Sequence, residues 1–204
     1  MTTTVLVPAG RFVRWVENFA SRHGAAAVST VDGALRGEAE DTSYFEARLP
    51  FWVPYAGGPE PDELVAALEP PDDWGVLIAR RGGFAVARMA GERMVSSKVG
   101  QRHVQGRTKA GGQSQQRFAR RRDNQAREAW AAAAGHASTH LRGLRGPLVL
   151  AGDREGLAAV VEGAGLGELP THHLPDTVGE PRREALLKAV QDALSVRVTV
   201  HNAD

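Results

Sequence analysis

The stretch WGVLIARRGGFAVARMAGERMVSSKV, residues 74–99, decides the fold. It begins with a continuous apolar run at residues 76–79, reaches the glycine pair Gly82 and Gly83, and continues with apolar residues at alternate positions. Two such runs joined by two glycines predict a β-hairpin whose turn residues have positive φ. A further run at residues 92–99 follows the next glycine and predicts a third strand. This part of the chain is therefore predicted to be a three-stranded meander.

Towards the C-terminus, helical and strand patterns alternate. A long helix is predicted over residues 114–134, with Gly135 ending or bending it. The segment GPLVLAGD, residues 146–153, predicts a strand, and Asp153 occupies the N-cap position of the helix that follows. A last amphipathic helix at residues 181–194 leads into the extended segment VRVTV. Meander strands followed by strands that alternate with helices predict an α/β fold, a mixed β-sheet with flanking helices. The residues of the long helix predicted to face the sheet are Phe118, Ala126, Ala129, Trp130 and Ala133.

Towards the N-terminus, the patterns predict an α+β region. Residues 10–23 have apolar positions at helical spacing and predict a helix with one buried face. Residues 25–51 predict one or two strands, with turns at Asp32-Gly33 and near residue 40. Prolines then dominate up to Pro71 and indicate a boundary. We therefore expect two domains: residues 1–72, packed on the sheet or extending it, and residues 73–204.

Composition limits the classes of function that are open to the chain. Its 204 residues, 42% hydrophobic and 24% charged, have the make-up of an ordinary globular protein. No run of about eighteen apolar residues is present, so no membrane partner is expected, and the N-terminus lacks the pattern of a signal peptide. Because there is no cysteine, disulfides, thiolate metal sites and thiol nucleophiles are excluded. These features predict a cytoplasmic protein.

The small net charge of +1 conceals a strong asymmetry. Residues 98–145, called the basic segment below, contain eleven basic and two acidic residues, a net charge of +9. The rest of the chain contains 14 basic and 22 acidic residues, a net charge of −8. A concentrated cationic segment in a nearly neutral protein favours a polyanionic partner, above all nucleic acid. The alternative is a solvated basic helix, although surface helices usually interleave both signs.

The centre of the basic segment is HVQGRTKAGGQSQQRFARRRDNQA, residues 103–126. Its paired glycines, Gly111 and Gly112, permit positive φ and close approach of the backbone to a partner. The glutamine beside them carries an amide that donates and accepts hydrogen bonds but does not titrate. Such an amide cannot be a general base, but it can orient a water molecule or stabilise an oxyanion. Arginines hold phosphates and set register. Together these residues suit a loop that docks on RNA and places a water molecule in another molecule's reaction centre.

This segment resembles a known catalytic loop. The pattern Arg107-x-Lys109-x-Gly111-Gly112-x-Ser114-Gln115-Gln116, followed by RFARRRDNQA, is similar to that loop in the middle domain of archaeal and eukaryotic peptide release factors. It resembles still more closely the Vms-like release factor family in its actinobacterial branch. The resemblance is specific over residues 98–130 and general elsewhere. It implies an RNase H-like, release-factor-middle-domain-like catalytic domain at residues 73–204, with its loop at residues 109–116 and an N-terminal α+β extension.

The resemblance also implies an activity and its partners. The chain would be a peptidyl-tRNA hydrolase that releases nascent peptide from tRNA on stalled or split ribosomes, in ribosome-associated quality control. Its expected partners are the large ribosomal subunit, peptidyl-tRNA and rRNA, with no metal and no small-molecule cofactor. The basic residues expected to bind RNA are Arg107, Lys109, Arg117, Arg120, Arg121 and Arg122.

Two alignments of the catalytic glutamine remain open. A literal Gly-Gly-Gln, as in release factors, corresponds to Gly111, Gly112 and Gln113. The G-x-x-Q of the Vms-like proteins corresponds to Gly112 and Gln115, and this alignment is the favoured one. Gln116 is assigned to helix capping or RNA contact.

Other functions and sites are less well supported. A non-enzymatic ribosome- or tRNA-binding module would need the same arginines, whereas an RNase H-type nuclease would need clustered carboxylates for metal ions, and none lie near the basic segment. His136 and His140 have the spacing of two metal ligands on a helix, but no third ligand is evident. His172-His173 is interpreted as a surface loop, and GAGLGELP, residues 163–170, lacks the lysine of a phosphate-binding loop.

Overall fold

The computed structural model describes residues 1–101, 113–175 and 179–203. The chain forms two compact units, each built around its own five-stranded sheet. Unit one consists of residues 1–70 and 191–204, and unit two of residues 71–190. Among the described residues, no helix is both long enough and apolar enough to cross a membrane.

Unit one contains an antiparallel sheet with helices. Its elements are β1 (Thr2–Val7), α1 (Ala9–His23), β2 (Ala26–Val31), β3 (Ala34–Ala39), β4 (Tyr44–Arg48), α2 (Pro61–Ala66) and, at the other end of the chain, β10 (Val196–His201). The strand order is β1-β10-β4-β3-β2, and every neighbouring pair is antiparallel. We call this sheet one. Phe12, Val16 and Phe19 on α1 are buried against it, together with Phe45 and Val198.

Three features of unit one bear on the sequence predictions. The turn at Asp32-Gly33 is confirmed, with φ of 49° and 71°. The second predicted turn, near residue 40, is also present and includes Thr42 (φ 69°), but the number of strands over residues 25–51 is three and not one or two. Residues 191–204 were predicted to lie with the second domain, whereas β10 lies between β1 and β4 in sheet one.

Unit two contains the predicted meander and the long helix. Its elements are β5 (Trp74–Arg80), β6 (Gly83–Ala90), β7 (Arg93–Gln101), α3 (Gln113–His140), β8 (Leu148–Gly152), α4 (Arg154–Gly163) and β9 (Thr171–His173), and α5 (Arg183–Ala193) leads on to β10. The strand order of this sheet, called sheet two, is β7-β6-β5-β8-β9. The meander pairs are antiparallel, and β8 is parallel to both β5 and β9. The predicted fold class, mixed α/β with flanking helices, is confirmed.

The first hairpin differs from its prediction by one residue. Its turn consists of Arg81 and Gly82, neither of which has φ in the left-handed region, and Gly83 already belongs to β6. A Cβ at Gly83 would lie 2.7 Å from the carbonyl oxygen of Gly100 on β7. The second glycine of the pair is therefore explained by close strand packing and not by turn geometry.

The long helix continues six residues past its predicted end, because Gly135 does not end α3. A glycine inside a helix costs about 0.5–1 kcal/mol relative to alanine, but the apolar face of α3 continues past it. Ala134 and Ala137 are buried in the core of unit two, and so is Leu141 just after the helix. Packing therefore outweighs the local propensity of Gly135.

Candidate functional site

The candidate site lies at the N-terminal end of α3. Gln113 and Gln115 both fall in the first turn of this helix. In an α-helix, residues two apart lie about 200° apart around the axis. The two positions therefore lie on nearly opposite sides of the helix axis. The backbone N–H groups of a first turn have no acceptor inside the helix and favour a negatively charged partner.

Part of the predicted site lies outside the described residues. This applies to Gly111 and Gly112 of the loop and to the cations Arg107 and Lys109. Arg117, Arg120, Arg121 and Arg122 follow the glutamines within α3.

The charged side chains of α3 that the structure describes begin at Arg120. Arg120 is exposed, as are Asp123 and Asn124. Asn124 accepts a 2.7 Å hydrogen bond from Arg127 through its amide oxygen. Asp123 and Glu128 are the only carboxylates in the sequence of the basic segment. The sequence around this end of α3 therefore contains many more cations than carboxylates.

The middle of α3 is fixed to the rest of unit two by close packing. Ala126, Trp130 and Ala133 are buried in the core, as predicted. Glycines on α4 allow this second helix to approach, since a Cβ at Gly156 would lie 2.8 Å from the indole nitrogen of Trp130. The helix that carries the glutamines and arginines is thus anchored from Ala126 onward.

The chain just after α3 is held by an ion pair that the sequence analysis missed. The Arg88 guanidinium on β6 donates hydrogen bonds to both carboxylate oxygens of Asp73, at 2.8 and 3.1 Å, and to the carbonyl oxygen of Arg142 at 2.6 Å. Asp73 also accepts a hydrogen bond from the Arg145 backbone N–H at 3.1 Å. Burial opposes ionisation of Asp73, but these hydrogen bonds and the neighbouring positive charges outweigh it and lower its pKa. The only sequence signal was the hairpin itself, which brings residue 73 and residue 88 to the same end of the meander.

The two histidines on α3 have separate structural partners. The His136 ring stacks on Phe84, with centroids 5.1 Å apart, and the Nδ1 atom of His140 shares a hydrogen bond with the Ser96 hydroxyl. They lie on one helix, as their spacing suggested, but contact different strands. Within the described ranges, no group of three or more His, Asp or Glu side chains is placed to hold a metal ion.

Comparison with known proteins places unit two in a family. Among solved structures, the chain is similar to that of an archaeal translation termination factor, aRF1, with 16% identity and a TM-score of 0.36; the match covers 95% of this chain and 66% of that one. Among curated proteins, no sequence matches the chain significantly. A family model described as Actinobacteria/chloroflexi VLRF1 release factor matches residues 72–199, which is more than half of the chain. This match confirms the resemblance found in the loop. The chain therefore belongs to the Actinobacteria/chloroflexi VLRF1 release factor family and has a release-factor-type role in translation.

Proposed function

We propose that the chain is a peptidyl-tRNA hydrolase that releases nascent peptide from tRNA on stalled or split ribosomes. The observation that carries this proposal is the order of residues at the start of α3 in a release-factor chain: three glutamines in the first helical turn, then four arginines in the next turns. The proposed partners are the large ribosomal subunit, peptidyl-tRNA and rRNA, and the proposed location is the cytoplasm.

The proposed reaction is hydrolysis of the ester between peptide and tRNA. A water oxygen bonds to the ester carbonyl carbon, and the terminal ribose oxygen of the tRNA leaves and takes up a proton. The Gln115 amide would orient the water molecule, since it can accept one hydrogen bond and donate another without changing its protonation. Gly111 and Gly112 would let the backbone approach the ester closely. The family resemblance assigns the movement of the proton to the tRNA ribose and the ribosome.

The arginines would bind and orient the RNA. Arg117, Arg120 and Arg121 recur at spacings of three and four residues, so their positions share one side of the helix. Charged guanidinium groups bind phosphate oxygens with two parallel hydrogen bonds. Such contacts set the register of the loop on its RNA and carry no sequence preference.

The test is peptide release from purified large ribosomal subunits that carry peptidyl-tRNA. We expect Gln115→Ala to lower the release rate by at least about 100-fold, the range seen when one group that stabilises a transition state is removed. Gln125→Ala, on the same helix but three turns further on, is the matched control and should release peptide at the wild-type rate. Loss of release with Gln113→Ala alone would instead support the literal Gly-Gly-Gln alignment.

The second candidate function, a non-enzymatic RNA-binding module, is favoured by the charge of the basic segment alone. Both functions require binding to the ribosome, so binding does not distinguish them. Wild-type chain that binds peptidyl-tRNA-loaded subunits without releasing peptide would exclude the hydrolase and select the binding module.

A further inference from the structure

Unit two has a cleft of about 1260 Å³ on the edge of sheet two where its parallel strands end. Arg80 is the last residue of β5, Gly152 of β8 and His173 of β9, and all three line the cleft. In sheets with parallel strands, ligands bind outside the carboxyl ends of the strands. The position of the cleft is therefore the one where a ligand is expected.

Sequence features that the release reaction does not use meet at this cleft. Gly167 of the glycine-rich segment, His173 and Asp153 were each considered separately in the sequence, and all three line it. At Gly152, φ is 114°, and a Cβ would collide with the Ala79 carbonyl. The end of β8 therefore has a conformation that favours glycine and leaves no side chain at this point.

The mouth of the cleft is cationic. Arg80, Arg81 and Arg154 line it beside the N-terminal end of α4. Asp153 occupies the predicted N-cap position, but its carboxylate makes no capping hydrogen bond. It accepts a hydrogen bond from the Arg81 backbone N–H at 3.0 Å instead, and it lies 3.7 Å from the Arg80 side chain. The first-turn N–H groups of α4 donate no hydrogen bond to the side chain of this cap, and the side chains of Arg81 and Arg154 are exposed. An anionic group fits this end of the cleft.

A buried donor on the inner side of the cleft has no acceptor. Trp130 is only 5% exposed, and its indole N–H, which faces the first turn of α4 at Gly156, makes no hydrogen bond. A buried N–H without a partner is destabilising, and such groups in folded proteins usually find an acceptor. Because the Trp130 side chain also lines the cleft, a bound ligand would change the surroundings of this donor.

The remaining wall is apolar. It is formed by Leu150, Leu157, Val161, Leu174 and Pro175. A ligand that fits the whole cleft thus combines an anionic group, a flat or apolar part and further hydrogen-bond acceptors.

We propose that this cleft binds a nucleotide, with its phosphate on Arg81 and Arg154 and its base against the apolar wall. Glu155, also on the lining, is placed to accept hydrogen bonds from ribose hydroxyl groups, as carboxylates do in nucleotide sites. The nucleotide is either an unpaired nucleotide of a bound RNA or a free mononucleotide. The site is separate from the glutamines of α3, so it goes beyond the proposed hydrolase and does not depend on it.

The first test observes the Trp130 indole N–H directly by NMR of the ¹⁵N-labelled full chain. The sequence contains four tryptophans, and Trp130→Phe identifies the signal by its disappearance. Millimolar AMP should shift this signal in a saturable way, and inorganic phosphate should shift it less. A signal unmoved by AMP and by RNA, or moved as much by phosphate as by AMP, would overturn the nucleotide assignment.

The second test locates the binding with variants. Arg81→Ala/Arg154→Ala should raise the AMP Kd about tenfold or more, since a hydrogen bond to a charged group contributes about 1.5–3 kcal/mol. Ala158→Trp, at an exposed position on the wall, should block the cleft without altering the core. Arg93→Ala/Arg183→Ala, which removes two exposed arginines outside the cleft, is the matched control and should bind AMP like the wild type. Unchanged AMP affinity in both cleft variants would refute the site.

Titration with a short single-stranded RNA and with its duplex distinguishes the two sources. If single-stranded RNA moves the indole signal and AMP competes with it, the source is an unpaired RNA nucleotide. If AMP alone moves the signal, the source is a free nucleotide. RNA bound only at the arginines of α3 should not move this signal. The cleft proposal is therefore tested by the indole signal and the hydrolase proposal by the release assay, so either can fail without the other.

Discussion

Sheet one and sheet two each have five strands and a long helix packed on one face, yet they bury their strands differently. In sheet one every pair is antiparallel, and β4 alternates between buried and half-buried residues along its length. In sheet two, the first six residues of β5 are all buried. Antiparallel sheets can leave one face to solvent, whereas strands with parallel neighbours are usually covered on both. The apolar pattern of a strand thus reports how many of its faces are covered.

The two parts of the molecule also differ in how far their charged side chains are paired within the fold. On sheet one, Glu46 lies 3.3 Å from Arg36 and 3.7 Å from Arg48, so cations and a carboxylate satisfy one another within the fold. In the basic segment, eleven cations accompany two carboxylates. Charge that is not balanced within its own part of the fold is available to a partner. The comparison separates structural arginines from those we assign to RNA.

The largest expected effect contrasts neighbouring residues in β5 and β10. Leu77 and Ile78 are adjacent and both fully buried, so Leu77→Ala and Ile78→Ala should each lower the free energy of unfolding by about 2–5 kcal/mol. In β10, Val198→Ala should lower the free energy of unfolding, whereas Thr199→Ala should change this free energy by less than about 0.5 kcal/mol. Urea denaturation of the four variants measures these differences. Equal losses at Val198 and Thr199 would contradict the one-faced burial of sheet one.

The next effect concerns the arginines. The variant Arg120/Arg121/Arg122→Ala should weaken RNA binding on the order of 100-fold and reduce the slope of log K against log salt by about 2–3, because each phosphate contact contributes about 0.7–0.9 to that slope. The matched control, Arg36→Ala/Arg48→Ala, removes arginines already paired with Glu46 and should leave both values nearly unchanged. Binding measured over a range of salt concentrations tests both variants. An unchanged slope in the triple variant would refute the assigned role.

The parts of the fold and of the candidate site that could be predicted are those whose residues lie close together in the sequence. The glutamines and arginines of the candidate site are contiguous, so one local pattern contained them. The meander and the helices of unit two also follow from local periodicity. The position of β10 does not, because a short extended segment such as VRVTV can pair with any available strand, and its partners β1 and β4 lie about 150 or more residues earlier. The cleft was not predicted for the same reason: Arg80, Trp130 and His173 come from distant parts of the sequence and meet only in the folded sheet.

A smaller effect is expected where each sheet places a phenylalanine ring over a glycine on the neighbouring strand. Phe45 lies over Gly37 in sheet one, and Phe84 lies over Gly100 in sheet two, both as register partners. Gly37→Ala should lower the free energy of unfolding by about 1–3 kcal/mol, since overpacking forces off-rotamer side chains. Gly100→Ala should cost less, because Phe84 is 7% exposed whereas Phe45 is fully buried and can yield less. Urea denaturation of both variants decides the order, and an equal or larger loss for Gly100→Ala would contradict it.

The smallest effect is the pH dependence of the stability that two aspartates contribute, one in each unit. In unit one, the hydrogen bond with His23, followed by that from the Ser43 backbone N–H, lowers the pKa of Asp41. In unit two, burial tends to raise the pKa of Asp73, but Arg88 and Arg145 outweigh it, and the net shift is again downward from the ordinary value of 3.8. A carboxylate with a lowered pKa stabilises the fold fully above its unfolded pKa, and this contribution is lost as pH falls through the lower folded pKa. Stability differences between wild type and Asp73→Asn, or between wild type and Asp41→Asn, should therefore be constant above about pH 5 and shrink below about pH 4.

Salt distinguishes the two carboxylates, because screening weakens exposed ion pairs most. Both carboxylates accept a hydrogen bond from a backbone N–H, but Asp41 otherwise pairs with one histidine at the surface, whereas Asp73 accepts two hydrogen bonds from the Arg88 guanidinium. The difference for Asp73→Asn should accordingly persist in high salt, and that for Asp41→Asn should largely vanish. Thermal unfolding between pH 3 and 6 at low and high salt measures both. If the Asp73 difference disappears with salt, the pair with Arg88 behaves as a screened surface ion pair, which contradicts the partly buried, hydrogen-bonded arrangement.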